Sequence, residues 1–284
     1  MPVNDFILTL ACPDRTGIVY NVSGLLLKHQ GNIIDAQQFG DAETGRFFLR
    51  VHFALPDGVG IAQVRTDFMI LAPQYQMQWQ IYDAQKKARL LILVSKQGHC
   101  LNDLLFRVHS KQLNAEIAGI VSNHQDFAAM ANSYDIPFHH LSVTPETKAT
   151  QEAAILTIAR REDIDLVVLA RYMQILSPEL CAALEGKAIN IHHSFLPSFK
   201  GARPYYQAHA RGVKIIGATA HYVTHDLDEG PIIEQDVQRV DHSMSAQDLT
   251  QVGSDIESRV LSRAVSSHVE HRILLNGSKT VVFR

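Results

Sequence analysis

Cysteine is scarce: Cys12, Cys100 and Cys181 are the three in 284 residues. Their odd number and the absence of any CxxC spacing argue against a disulfide framework and against a thiolate zinc site. A reducing, cytoplasmic setting is the expectation. Long apolar runs are also missing. None approaches the roughly 18 residues of a membrane span, and the N-terminal "FILTLAC" is cut short by Pro13, Asp14 and Arg15. An excess of basic charge is absent too. The formal net charge is −3, and residues 1–84 carry five Lys/Arg against eight Asp/Glu. No basic face points to nucleic acid. Two catalytic signatures are lacking as well. No GxSxG elbow is present, and "GVG" at 58–60 is not followed by the third glycine of a dinucleotide loop.

What the chain does have is apolar material for cores. Hydrophobic residues make up 46% and charged residues 19%, which is a globular composition. The length favours about two domains, and the hydrophobic rhythm changes near the polar segment "DAQKKAR" at 83–89. The expected division is 1–84 and 85–284.

The first part reads as a small α+β unit. "DFILTLAC" alternates as a strand does, and Asp14 is placed to cap a helix carrying Ile18, Val22, Leu25 and Leu26 that stops at Gly31. "NIIDAQQFG" and "GRFFLRVHF" predict a strand pair, with Phe47, Leu49, Val51 and Phe53 on one side. A helix follows near 60–72. In "QYQMQWQIY" four glutamines alternate with Tyr75, Met77, Trp79 and Ile81. The order βαββαβ is that of a ferredoxin-like unit.

In the second part short apolar runs, "LLILVS", "EIAGIVSN" and "DLVVLA", alternate with helical stretches. That pattern predicts an α/β, Rossmann-like, mostly parallel sheet buried on both faces, with its ligand beyond the carboxyl ends of the strands. Residues 245–271 predict one long amphipathic helix, and "RILLNGSKTVVF" a terminal hairpin with an Asn-Gly turn.

The candidate chemistry lies in "NIHHSFLPSFKGARP" at 190–204 and "HDLDEGP" at 225–231. Strand alternation puts Ile189, Ile191 and His193 on one face and Asn190 with His192 on the other. An amide and an imidazole two positions apart can both donate to one developing oxyanion. His193, pointing away, is expected to be structural. A carboxylate is needed beside the imidazole, and Asp226, Asp228 and Glu229 all crowd the turn after "KIIGATAHYV", expected to run beside the Asn/His strand in a parallel or mixed sheet. Spacing does not choose among them. His221 and His225 are separated by three residues, but strand and turn placement make metal co-ligation by a helix face a poor reading.

These two segments resemble the signature of the folate-dependent formyltransferase family, from about residue 89 to the end. The resemblance implies a catalytic triad of Asn190, His192 and Asp228. It also implies a largely backbone-built pterin pocket at Ile175 and Leu176 of "RYMQIL" and at Val223, Thr224, His225, Asp226 and Leu227. The loop "SKQGHCLNDL" departs from the Gly- and Ser-rich phosphate loop of the ribonucleotide transferases, and the added domain is N-terminal. Both features resemble the hydrolytic branch, which converts 10-formyltetrahydrofolate to formate and tetrahydrofolate, supplies formate for purine synthesis and balances one-carbon folate pools. "CPDRTGIVYNVSGLLLKHQGNI" resembles an ACT domain, which implies subunit pairing and an amino-acid effector near Asp14, Arg15 and Gly17. The resemblance thus implies a folate as substrate, no cofactor, no metal and a homo-oligomer. Occlusion of the acceptor channel by His99, Cys100 or "FKGARPYY" is expected to admit water. Two other readings stay open: a transferase using an amine acceptor, and a catalytically inactive amino-acid sensor.

Overall fold

The computed structural model describes residues 4–196 and 204–284. The chain forms two compact units, one running up to Lys86 and including Glu270–Arg284, the other spanning Lys87–Val269.

The first unit contains β1 (Asp5–Pro13), α1 (Ile18–Lys28), β2 (Asn32–Asp41), β3 (Arg46–Ala54), α2 (Ile61–Leu71) and β4 (Gln78–Asp83). Its sheet has the order β2-β3-β1-β4, all antiparallel. Alternation along β1 and β3 sends Leu8, Leu10, Leu49, Val51 and Phe53 to the face covered by Ile18, Val22 and Leu26 of α1 and Val64 and Phe68 of α2. Three local expectations change. Gly17, at φ 91°, is the N-cap of α1, with no side-chain cap, so Asp14 does not fill that role. The helix ends at Lys28, before Gly31, as His29 departs from helical geometry and Gln30 turns to φ 56°. The last strand starts only at Gln78 because Pro73 lies in a 3₁₀ turn over Ala72–Tyr75 and Gln76 follows at φ 53°.

The opposite face of this sheet explains a larger correction. Phe48 and Ala11 are buried there against Leu274 and Phe283, which belong to a terminal hairpin of strands Ile273–Asn276 and Lys279–Val282. Residues 270–284 therefore return to the first unit and are not part of an 85–284 domain. The second phenylalanine of "RFFLRVHF" needed a cover that alternation alone does not reveal.

The second unit has β5 (Ala88–Val94), α3 (His99–His109), β6 (Ala115–Ser122), α4 (Ala128–Ser133), β7 (Phe138–His140), α5 (Lys148–Arg161), β8 (Leu166–Leu169), α6 (Pro178–Ala183) and β9 (Ala188–His192). It continues through α7 (Pro204–Ala210), β10 (Ile215–Tyr222), β11 (Ile232–Arg239) and α8 (Ala246–Val269); the terminal hairpin strands are β12 and β13. The sheet order is β11-β10-β9-β8-β5-β6-β7. The strands from β9 to β7 are parallel, while β10 is antiparallel to both β9 and β11. Leu90–Val94 is fully buried along its whole length, as a central parallel strand covered on both faces must be. Leu91, Leu93, Val167 and Leu169 pack under Ile155 of α5 and Leu180 of α6. A capping box starts α8: the Asp248 N–H donates to Ser245 Oγ at 3.2 Å and the Ser245 N–H to Asp248 Oδ2 at 2.8 Å.

Candidate active site

The carboxyl end of β9 delivers Asn190 and His192 to a cavity of about 320 Å³. The cavity is lined also by the chain after β8, from Arg171 to Leu176, and by the 223–228 loop. Each expected pocket residue, Ile175, Leu176, Val223, Thr224, His225, Asp226 and Leu227, borders it. Met173, Ile175 and Leu227 expose apolar side chains there, a rim suited to a flat aromatic ligand. Thr224 Oγ1 donates to the Asp226 carbonyl at 3.1 Å and shapes the loop.

The acid that reaches the imidazole is Asp228, whose Oδ2 is 3.2 Å from His192 Nδ1. Asp226 is turned to His225 at 3.1 Å on the surface. Asp228 is held at φ 60°, a left-handed conformation that Asp tolerates better than most residues. The loop is anchored where the Tyr222 N–H donates to the Pro231 carbonyl at 3.0 Å. Gly230 is required at that anchor, since a Cβ there would fall 1.7 Å from the Tyr222 carbonyl oxygen. Burial opposes ionisation of Asp228, but hydrogen bonds and charge from His192 and His221 outweigh it and hold the carboxyl well below the usual range.

His221 is the residue that the sequence reading did not place in the site. It lies opposite Asn190 in the β9/β10 register, so both side chains leave the same face. Its Nδ1 is 2.9 Å from the Tyr222 carbonyl oxygen. A carbonyl only accepts, so Nδ1 carries the proton. Its Nε2 lies 3.3 Å from Asn190 Nδ2. Asp228 Oδ1 lies 3.7 Å from the same nitrogen. His221 thereby packs against the Asn190 amide at the wall of the cavity. The signal for this was the antiparallel pairing, which a reading of strands one at a time does not contain.

His193 departs from the alternation. The strand ends at His192 and the chain turns, so the two rings stack with centroids 4.7 Å apart at 26°, and His193 lines the cavity beside its neighbour. Burial, with Arg171 and His192 next, lowers its pKa to about 4. Among the described residues, His192 Nε2 has no hydrogen-bond partner although it is buried. A buried polar nitrogen without a partner is costly, and here it sits on the edge of the ring that Asp228 does not engage.

The expected effector residues are in the first unit. Arg15 lies over the Tyr75 ring at 4.5 Å. Tyr75 in turn accepts from Asn21, which also donates to the Gly17 carbonyl at 2.8 Å. The Asp14 N–H donates to the Gly45 carbonyl at 2.8 Å. His99, Cys100 and Glu257 offer ligand-type atoms within 4.8 Å of one another, but the Glu257 oxygens already receive His99, Arg171 and Tyr205. Cys100 is buried. Residues 197–203 of "FLPSFKGARP" lie outside the described residues. No helix among the described residues is long and apolar enough to cross a membrane.

Asn190, His192 and Asp228 thus converge at the carboxyl end of β9 in a mixed α/β sheet, beside an apolar-rimmed cavity, an arrangement chemically able to stabilise charge developing on a carbonyl oxygen. The formyl transferase family matches residues 88–265, and the chain belongs to that family. The formyltetrahydrofolate deformylase of Corynebacterium sp. (strain P-1) is 50% identical over 98% of both chains. The crystal structure of the formyltetrahydrofolate deformylase from Burkholderia mallei is 52% identical, with a TM-score of 0.95 over 99% of this chain and 100% of that one. The phosphoribosylglycinamide formyltransferase of Anaplasma phagocytophilum is 32% identical, with a TM-score of 0.64 over 70% of this chain and 96% of its own. The similarity to the deformylases thus runs through both units.

Proposed function

We propose that this chain hydrolyses 10-formyltetrahydrofolate to formate and tetrahydrofolate, with Asn190, His192 and Asp228 as its catalytic groups. Full-length similarity to formyltetrahydrofolate deformylases supports the reaction. The observation that carries the residue assignment is the unpartnered Nε2 of His192 on a ring whose Nδ1 is held by Asp228 at 3.2 Å. The pterin occupies the cavity between the 171–176 segment and the 223–228 loop, and the N10-formyl oxygen meets the Asn190 amide and the His192 Nε2–H.

Water adds through its oxygen to the formyl carbon and loses a proton to the Asp228–His192 pair. The carbonyl oxygen gains negative charge, which the two donors stabilise; removing one such donor typically costs about 10²- to 10³-fold in rate. The C–N10 bond then breaks as the pair returns a proton to N10. Formate and tetrahydrofolate leave, and the formate is available to purine synthesis while the one-carbon folate pool is rebalanced. The test is formate release from 10-formyltetrahydrofolate with and without candidate amines. Release in water alone supports hydrolysis, strict dependence on an amine supports a transferase, and neither supports a sensor.

The first unit is read as an ACT-type regulatory module. An amino-acid effector is proposed at Asp14, Arg15 and Gly17, where Gly17 adopts φ 91° and Arg15 covers Tyr75. Melting-temperature shifts across the twenty amino acids test it. A homo-oligomer is proposed as well, supported by the exposed Ile33, Ile34 and Phe39 on edge strand β2; light scattering reads the mass directly.

A further inference from the structure

Three successive residues at the end of β9 each keep a buried polar atom without a hydrogen-bond partner among the described residues: His192 Nε2, His193 Nε2 and Ser194 Oγ. A buried polar group left in this way costs free energy unless something else satisfies it. The first meets the formyl oxygen in the reaction proposed above; the other two have no part in it. Ser194 is nevertheless only 7% exposed.

His193 and Ser194 both border a second cavity, of about 260 Å³. The rest of its wall is chiefly apolar, with Phe195, Ala208, Ile216 and Val237. Among the described residues no charged side chain lines it, so it offers nothing to hold an ionic acceptor. A water molecule, in contrast, needs only a few polar partners in a space of this size. His193 is the one described residue that lines this cavity and the Asn190/His192 cavity alike. Its ring lies against that of His192, centroids 4.7 Å apart, and His192 is itself held by Asp228. Burial, Arg171 and His192 all disfavour a charge on His193 and outweigh Glu257 and Asp228, so the ring stays neutral, its pKa lowered to about 4. A neutral imidazole keeps one nitrogen lone pair, which accepts an O–H of water as an imidazolium cannot.

We propose that His193, with Ser194 as a second anchor, holds the attacking water beside the formyl group. The lone-pair nitrogen of His193 accepts one O–H, the Ser194 hydroxyl donates to the water oxygen, and the remaining oxygen lone pair adds to the formyl carbon. The O–H on His193 stays with that oxygen and leaves in the formate product, while the other proton passes to the Asp228–His192 pair and then to N10 as the C–N10 bond breaks. The proposal rests on the hydrolytic reading above and deepens it.

Hydroxylamine is the probe, because its nitrogen attacks a formyl carbon without help, whereas water needs its O–H polarised. Formylhydroxamate is measured beside formate, with the uncatalysed reaction subtracted. His193→Phe keeps a flat ring against His192 and removes both nitrogens. It is expected to lower kcat for formate release at least about 10²-fold, to leave the KM for the folate nearly unchanged, and to raise the ratio of hydroxamate to formate at least about tenfold. Ser194→Ala is expected to lower formate release about tenfold and to raise the same ratio. Parallel losses of hydroxamate and formate in His193→Phe overturn the proposal and make the ring packing alone. So does an unchanged ratio in Ser194→Ala, a change small enough to be read even where His193→Phe does not fold. A wild type that releases no formate in water ends the hydrolytic reading and the proposal with it; an active wild type with parallel losses in the variants ends the proposal alone.

Discussion

At the scale of single residues, the cavity combines a donor pair with a carboxylate whose ionisation is protected. Asp228 is kept charged by His192 and His221 against the effect of its own burial. Asp228→Asn removes the charge while keeping the shape, and is expected to lower kcat for formate release by at least about 10²-fold, with folate binding retained by titration. His192→Ala is expected to act in the same direction. His221→Phe tests the positioning argument. It removes the ring nitrogen that lies 3.3 Å from the Asn190 amide, so kcat is expected to fall while the KM for the folate changes little, and His221→Gln is expected to recover part of the loss. Equal losses in the Phe and Gln variants would mark His221 as mere packing.

At the scale of elements, two placements depend on steric fit. The Tyr222–Pro231 anchor of the 223–228 loop admits only glycine at 230. Gly230→Ala is therefore expected to displace Asp228 and reduce formate release about as far as Asp228→Asn does, a comparison that steady-state kinetics makes directly. Under the terminal hairpin, Phe48 is fully buried against Leu274 and Phe283. Phe48→Ala is expected to cost about 3–5 kcal/mol in the first unit, visible as an earlier urea transition. The two cases differ in kind: the glycine keeps an atom out, and the phenylalanine fills a space.

At the scale of the whole molecule, burial of neutral histidines sets the response to acid. His193 and His268 are each pushed down to about 4, chiefly by burial, from about 6.5 in an unfolded chain. A folded pKa below the unfolded one means that the unfolded chain takes up the proton first. Their contribution to stability is fully present above about pH 6.5 and is lost as pH falls from there toward 4. Urea midpoints are expected to decline across that interval. His268→Gln, which can keep a partner for the Tyr222 hydroxyl now 2.8 Å from His268 Nδ1, is expected to flatten the decline. The depressed carboxyl of Asp228 acts in a different window, its contribution disappearing only below about pH 3.9.

Patterns with a short period were determined by the sequence alone. The apolar runs of β5, β6 and β8 announced a buried parallel sheet, the alternation of β1 and β3 announced a half-buried one, and the long α8 pattern announced its helix, because backbone geometry fixes these periods locally. The segments holding Asn190, His192 and Asp228 were legible too, though the choice of Asp228 over its acidic neighbours came from family resemblance and not from spacing. Tertiary structure decided what depends on partners far away in the chain: the antiparallel pairing that brings His221 to Asn190, the return of residues 270–284 to cover Phe48, the turn that stacks His193 on His192, and the burial of Glu257 against Arg171. Each of these is a contact whose energy exists only once the fold has brought separated segments together, so no local pattern in the chain records it.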